Sequence, residues 1–318
     1  MAAPSLRLFL STLIDYAGLF PPAALDLSAV IAAYEHYSKT PHRWLLGRFV
    51  LPLSQLPQFE ICLDQLDQQY AAAFWPLSIV LEPSLQALER LAPWLEKQNR
   101  FTISALEFKV GGVEAIAPLL PHLPPHSDLF FEVPLDATLS EYLAVLQGTR
   151  AAVKVRTGGL TPNDFPSIKV LAQFLIACAS NSIPFKATAG LHHPLRSWQP
   201  LPNGRFVKMH GFLNMALAAA FAYGYGATVA EIASILEIEN PDAFIFSSRE
   251  IICHSPLWSQ EPELSTVAGH LPLALLTHVR SRYFLGIGSC SFQDSLADLD
   301  RLGLLRTPSP LSSYAFST

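Results

Sequence analysis

Short apolar runs enriched in Val, Ile and Phe recur along the chain at 12–19, 48–52, 77–82, 102–110, 129–134, 151–157, 183–190 and 282–289. Each has the length and the β-branched or aromatic content of a buried strand. Between them, 25–39, 84–98, 138–148 and 167–181 place apolar residues near i, i+3 and i+4, the spacing of an amphipathic helix. Eight strands alternating with helices predict an α/β fold, a (β/α)8 TIM barrel spanning 1–318 as one domain, with a doubly wound open sheet as the alternative. The rhythm breaks once, before the last strand. There 205–280 reads as an elaboration holding two helix-like stretches (211–224 and 228–238) and a hairpin at 243–255, suited to a small cap or a homo-oligomer surface. Within it "RFVKMHGFL" (205–213) reads alternatively as a true strand, which would renumber the barrel.

Composition narrows the function classes. The 318 residues are 50% hydrophobic and 15% charged, enough for a large core. A net charge of −5 without a basic run argues against nucleic acid and against an anionic membrane surface, which leaves a small carbonyl compound or an anionic metabolite as the expected partner. No cofactor is expected. Four scattered cysteines without a CxxC pair suggest a reduced, cytoplasmic protein. The apolar N-terminus carries only Arg7 and is interrupted by Asp15, unlike a signal peptide. The longest apolar run, 212–230, contains Gly and Tyr and reads as a buried helix rather than a membrane span. The Pro-rich patches at 119–125 and 307–310 read as loops.

Candidate chemistry comes from the lysines. Of seven, Lys109, Lys154, Lys186 and Lys208 sit in apolar, strand-like segments, where a charged head is costly to desolvate without a partner. Lys154 and Arg156 share one face of a predicted strand, and Lys186 lies on the next, four residues before Gly190. Adjacent parallel strands are about 4.8 Å apart, so inward-facing Lys154 and Lys186 are expected to crowd two ammonium groups together. That crowding would lower the pKa of one and free its lone pair for a carbonyl. Glu107, Glu132 and Asp15, each near a strand end, are candidate proton carriers, and Arg156 a bidentate holder of carboxylate or phosphate.

These segments resemble a known family. "AAVKVRTGGL" (151–160) and "IPFKATAGLHHPLR" (183–196) are similar to the two lysine-bearing strands of the deoxyribose-phosphate aldolases, class I aldolase-type barrels. "LIDYAGLFPPA" (13–23) and "FLGIGSCS" (284–291) echo that family's opening and its closing phosphate-binding turn. The resemblance implies an aldolase-like lyase with Lys154 as Schiff-base nucleophile and Lys186 as its electrostatic partner. It also implies phosphate at Gly288 and Ser289; Gly158, Gly190, His192 and His193, which follow the two lysine strands, are candidate substrate contacts. Two departures stand out: Glu107 and Lys109 occupy the segment of the family's relay aspartate, and the bulky His192–His193 pair replaces its second glycine pair. Tyr314 in the tail parallels a C-terminal tyrosine of such aldolases.

Two other classes stay open. A metal-dependent barrel lyase, isomerase or hydrolase would use His192, His193 or His210 with Asp15 or Glu132. A non-catalytic barrel would bind an anionic metabolite and use the lysines only to neutralise buried carboxylates. Cys290 reads as inert core.

Overall fold

A computed structural model describes residues 2–65, 74–97, 100–255 and 269–305. Eight parallel strands close into a barrel: β1 (Ile14–Tyr16), β2 (Leu46–Pro52), β3 (Trp75–Leu81), β4 (Phe101–Lys109), β5 (Asp128–Val133), β6 (Ala152–Arg156), β7 (Phe185–Thr188) and, after five further strands, β13 (Phe284–Ser289). Sequential strands are neighbours throughout, and β13 pairs with both β7 and β1 to shut the ring. This is a (β/α)8 TIM barrel, and the open-sheet alternative falls because β1 has two partners.

The outer ring includes α2 (Leu27–Lys39), α3 (Leu56–Gln65), α4 (Leu85–Leu95), α5 (Leu139–Leu146) and α6 (Ile168–Ser180). Several begin on side-chain caps. Asp26, Ser84 and Ser167 accept from Ala29, Ala87 and Val170, satisfying amides that the first turn leaves unpaired.

The elaboration divides between two places. Immediately after β7, β8 (Ser197–Pro200) and β9 (Phe206–Met209) form an antiparallel ribbon outside the barrel. The 205–213 segment is thus strand-forming, but it does not renumber the barrel. Helix α7 (Phe212–Tyr225) follows, with eleven of its fourteen residues buried, packed against α6 and α8 (Val229–Leu236). At 1.5 Å per residue it is about 21 Å long, short of a bilayer core of about 30 Å. Its apolar surface is spent on neighbouring helices. Among the described residues no helix is long and apolar enough to cross a membrane.

The expected hairpin is present as β10 (Phe244–Phe246) and β11 (Glu250–Cys253), extended by β12 (His270–Pro272) into a three-stranded sheet. A helix the hydrophobic pattern did not reveal, α1 (Pro4–Leu10), packs on this sheet and on α9 (Leu273–Arg282). Ser5 donates its amide to Ser247 O at 3.1 Å, which places the sheet by the segment leading into β1. The ribbon instead follows the C-terminal end of β7, so the two halves of the elaboration stand at opposite ends of the barrel. A final helix, α10 (Phe292–Arg301), starts just beyond β13.

Most of the core lies between barrel and helices. Among the described residues, Ala105, Phe130 and Ala152, with Leu285 against them, form a small apolar cluster inside the barrel, and a group of charged side chains shares that interior.

Candidate functional site

Every strand from β4 to β7 sends at least one charged side chain inward, and the register aligns them. Glu132 pairs with Lys154 and Lys154 with Lys186 across β5, β6 and β7. Lys154 Nζ lies 2.9 Å from Glu107 Oε2 and 3.0 Å from Glu132 Oε2. Lys186 Nζ donates to Glu107 Oε1 at 2.6 Å and to Asp15 Oδ2 at 2.5 Å. Ser78 on β3 adds a third donor to Glu107 at 2.6 Å. Asp15 in turn accepts from the Arg48 amide at 2.7 Å, and its Oδ2 is 3.7 Å from the Arg48 guanidinium, which also pairs with Asp128. The result is a chain of alternating sign through the barrel: Asp128, Arg48, Asp15, Lys186, Glu107, Lys154, Glu132. The Phe130 ring lies 5.3 Å from Lys186 Nζ and 6.0 Å from the Arg48 guanidinium carbon, closing the layer below with an aromatic face.

This geometry corrects the expected electrostatics. The two ammonium groups are adjacent in register, yet Glu107 stands between them. Burial alone would push Glu107 up, but Lys154 and Lys186 outweigh it and hold its carboxyl far below the usual range. Burial alone would lower Lys154, and Glu107 with Glu132 outweighs that, so its pKa is raised rather than lowered. The resting site holds an ammonium at Lys154, not a free amine. Arg48 is likewise raised: burial opposes its charge, and Asp15 and Asp128 overcome it.

Above the chain lies a cavity of about 800 Å3 at the C-terminal ends of the strands, where barrel sites form. Lys154 and Glu107 reach it from the floor, and Arg156, Gly190, His192, His193 and Gly288 line it higher up. Lys186 and Asp15 are buried below it, among the least exposed charged groups described. Glu132 and Gly158 border a second cavity of about 910 Å3 beside the first, which Arg156 also lines.

Gly158 and Gly190 serve mainly to let two backbones meet. A Cβ on Gly158 would stand 2.8 Å from the Gly190 Cα, and Gly190 has φ +72. Only glycine fits both conditions at the ends of β6 and β7.

Of the 286–291 turn, expected to cradle phosphate, Gly288, Cys290 and Ser291 line the cavity and Ser289 does not. Ser289 is fully buried, and its hydroxyl donates to Ser291 O at 3.0 Å while lying 2.9 Å from His192 Nδ1. The α10 N-terminus is capped by Ser291, and Asp294 of its first turn lines the cavity. A phosphate there would meet a carboxylate.

The histidines do not converge. His192 pairs with Ser289, its Nε2 is 3.9 Å from Cys290 Sγ, and burial first, then His193, pushes it down to about 4. His193 Nδ1 is 2.5 Å from Asp298. His210 is 2.8 Å from Pro166 O, and burial lowers it to about 4. Among the described residues no three His, Cys, Asp or Glu side chains are grouped to hold a metal. The Cys62, Cys178, Cys253 and Cys290 thiols are free. Tyr314 and the 307–310 patch lie outside the described residues.

Sequence reasoning missed Arg48, Ser78 and Asp294. Arg48 carried the signal that singled out Lys154, a cation inside an apolar strand, in "GRFVLP". Ser78 and Asp294 carried none, because short polar residues are common in any strand or helix start.

A scan against protein-family models finds no family that matches this chain, and a search of curated proteins finds no matching relative. The fold and the arrangement of side chains therefore carry the functional reading on their own.

Proposed function

We propose that the barrel mouth is the site of a Schiff-base-forming, aldolase-like lyase in which Lys154 takes a small aldehyde or ketone. The observation that carries it is the position of Lys154: its strand ends on the cavity floor, with one carboxylate 2.9 Å and another 3.0 Å from the same nitrogen. The deoxyribose-phosphate aldolase resemblance points the same way, since Glu107 on β4 stands between the two strand lysines where that family places an aspartate relay. A non-catalytic anion binder fits less well. The chain of charges holds four carboxylates against three cations, so its floor does not attract an anion.

The chemistry balances within the residues present. The Lys154 ammonium passes one proton to Glu132, the better acceptor because Glu107 is held ionised by two lysines. The freed lone pair attacks the carbonyl carbon, and the nitrogen proton moves to the carbonyl oxygen to give a carbinolamine. Glu132 returns its proton to that hydroxyl, which leaves as water, and an iminium remains. In a substrate that carries a hydroxyl on the second carbon from the iminium, cleavage of the bond to that carbon sends its electron pair into the iminium to give an enamine, and the hydroxyl proton passes to Glu132, ionised again and 3.0 Å from the nitrogen. Glu132 then gives that proton to the enamine carbon, and water releases Lys154. In water, passing a proton from an ammonium to a carboxylate is uphill by about 6 pKa units, about 8 kcal/mol, a cost that bond formation to the carbonyl carbon must offset. Four free thiols suit the reducing, cytoplasmic setting this reading assumes.

Borohydride reduction in the presence of small carbonyl compounds tests the reading. A mass adduct on Lys154, lost in Lys154→Met, is the expected result. A protein that gives no Lys154 adduct with any carbonyl across pH 7 to 10 is not a Schiff-base enzyme.

A further inference from the structure

The walls of the cavity differ sharply from its floor. Phe20, Pro22, Leu160, Phe165, Leu201 and Met209 line it, contributed by the loop after β1, the loop after β6 and the β8–β9 ribbon. Among the described residues its lysine and arginine lining is Lys154, already shared between two carboxylates, and Arg156 at the rim. On the β7 and β13 side, where barrels of this kind commonly receive phosphate, the groups facing the cavity are neutral His192, His193 beside Asp298, Cys290 and the Asp294 carboxylate. A dianion placed there would meet negative charge and a helix terminus already capped by Ser291.

We infer that the substrate is an unphosphorylated carbonyl compound with an apolar body, such as an aromatic or branched aliphatic aldehyde or ketone. The inference rests on the Schiff-base reading of Lys154 and specifies what the rest of that substrate is. The carbonyl end approaches Lys154 on the floor, and the apolar end lies against the ribbon and the Phe20 and Leu160 loops. The gain comes from burying that end against walls that are mostly apolar, with Gln199 the polar side chain the ribbon adds. The ribbon is part of this selectivity, because it supplies Leu201 and Met209 and stands only at the mouth.

Reductive labelling of the full chain with cyanoborohydride, using phenylacetaldehyde in one arm and glyceraldehyde 3-phosphate in the other, tests it. Peptide mapping reads labelling at Lys154 relative to Lys169, an exposed lysine on α6 that reports each aldehyde's intrinsic reactivity. The expected Lys154 to Lys169 ratio is roughly tenfold or more higher for phenylacetaldehyde, and inorganic phosphate leaves it unchanged. A ratio that favours the phosphorylated aldehyde or is equal in both arms, or protection of Lys154 by phosphate, overturns the substrate assignment while leaving the Schiff-base reading intact. Lys154 labelled no faster than Lys169 in either arm removes that reading itself, and this inference with it. Leu160→Lys, at a half-exposed wall position where folding is not at stake, is expected to move the ratio toward the phosphorylated aldehyde.

Discussion

At Glu107 a single carboxylate accepts from two ammonium groups and a hydroxyl, so removing its charge strips both lysines of their shared partner. Glu107→Gln is expected to destabilise the fold by about 3 kcal/mol, the range for breaking a buried ion pair on one side, read as a lower urea midpoint with an unchanged slope. The pH dependence follows from the directions of the shifts. Glu107 is depressed in the fold, so its contribution is complete above the ordinary carboxylate pKa and is lost as pH falls below it. Lys154 is raised, so its contribution is complete below the ordinary lysine pKa and is lost as pH climbs past the folded value. A urea midpoint flat across pH 6 to 9 and falling on both sides is the expected profile, and one that rises toward pH 11 would contradict the pairing. Because the proton leaving Lys154 stays on Glu132, adduct formation at Lys154 is expected to be level between pH 7 and 9, and a rise of about tenfold per pH unit would mean that the amine forms by losing its proton to solvent instead. His192, pushed down to about 4 by burial, should show its imidazole proton resonance titrating near pH 4, with no inflection between 6 and 7.

The eight barrel strands are readable because the face each turns to the helices is apolar and the inner face interrupts the run with only one or two charged residues, giving apolar stretches that loops do not imitate. The lysines were readable for the complementary reason, that a cation in such a run needs a partner. What the sequence could not convey was which partner. A neighbouring cation and an intervening carboxylate produce opposite shifts at Lys154, and only the register of β4 against β5 and β6 decides between them. The same holds for the 286–291 turn: a Gly-Ser pattern looks alike whether its hydroxyl faces a ligand or, as Ser289 does, a buried imidazole. Helix α1 escaped notice because seven residues are too few for a periodic signal. The β7–β13 pairing gives a direct test of element packing. A Cβ on Gly288 would lie 2.8 Å from Thr188 Oγ1. Gly288→Ala is expected to cost about 1–3 kcal/mol through overpacking, and adding Thr188→Ala should recover part of it in a double-mutant cycle read by urea denaturation.

Across the whole molecule, the elaboration sets the two ends of the barrel apart, with the ribbon beside the mouth and the three-stranded sheet with α1 beside the start of β1. The row of charges joins these ends, running from Asp128 near the opening of β5, its side chain 49% exposed, to Glu132 beside the cavities. Because the row starts and finishes on a carboxylate, it carries one surplus electron's worth of charge. That surplus is the same whether the nitrogen at Lys154 is an ammonium or a carbon-bound iminium, since both are singly positive. The resting protein thus already holds a likeness of its covalent intermediate, and no dipole in the barrel has to turn when one replaces the other.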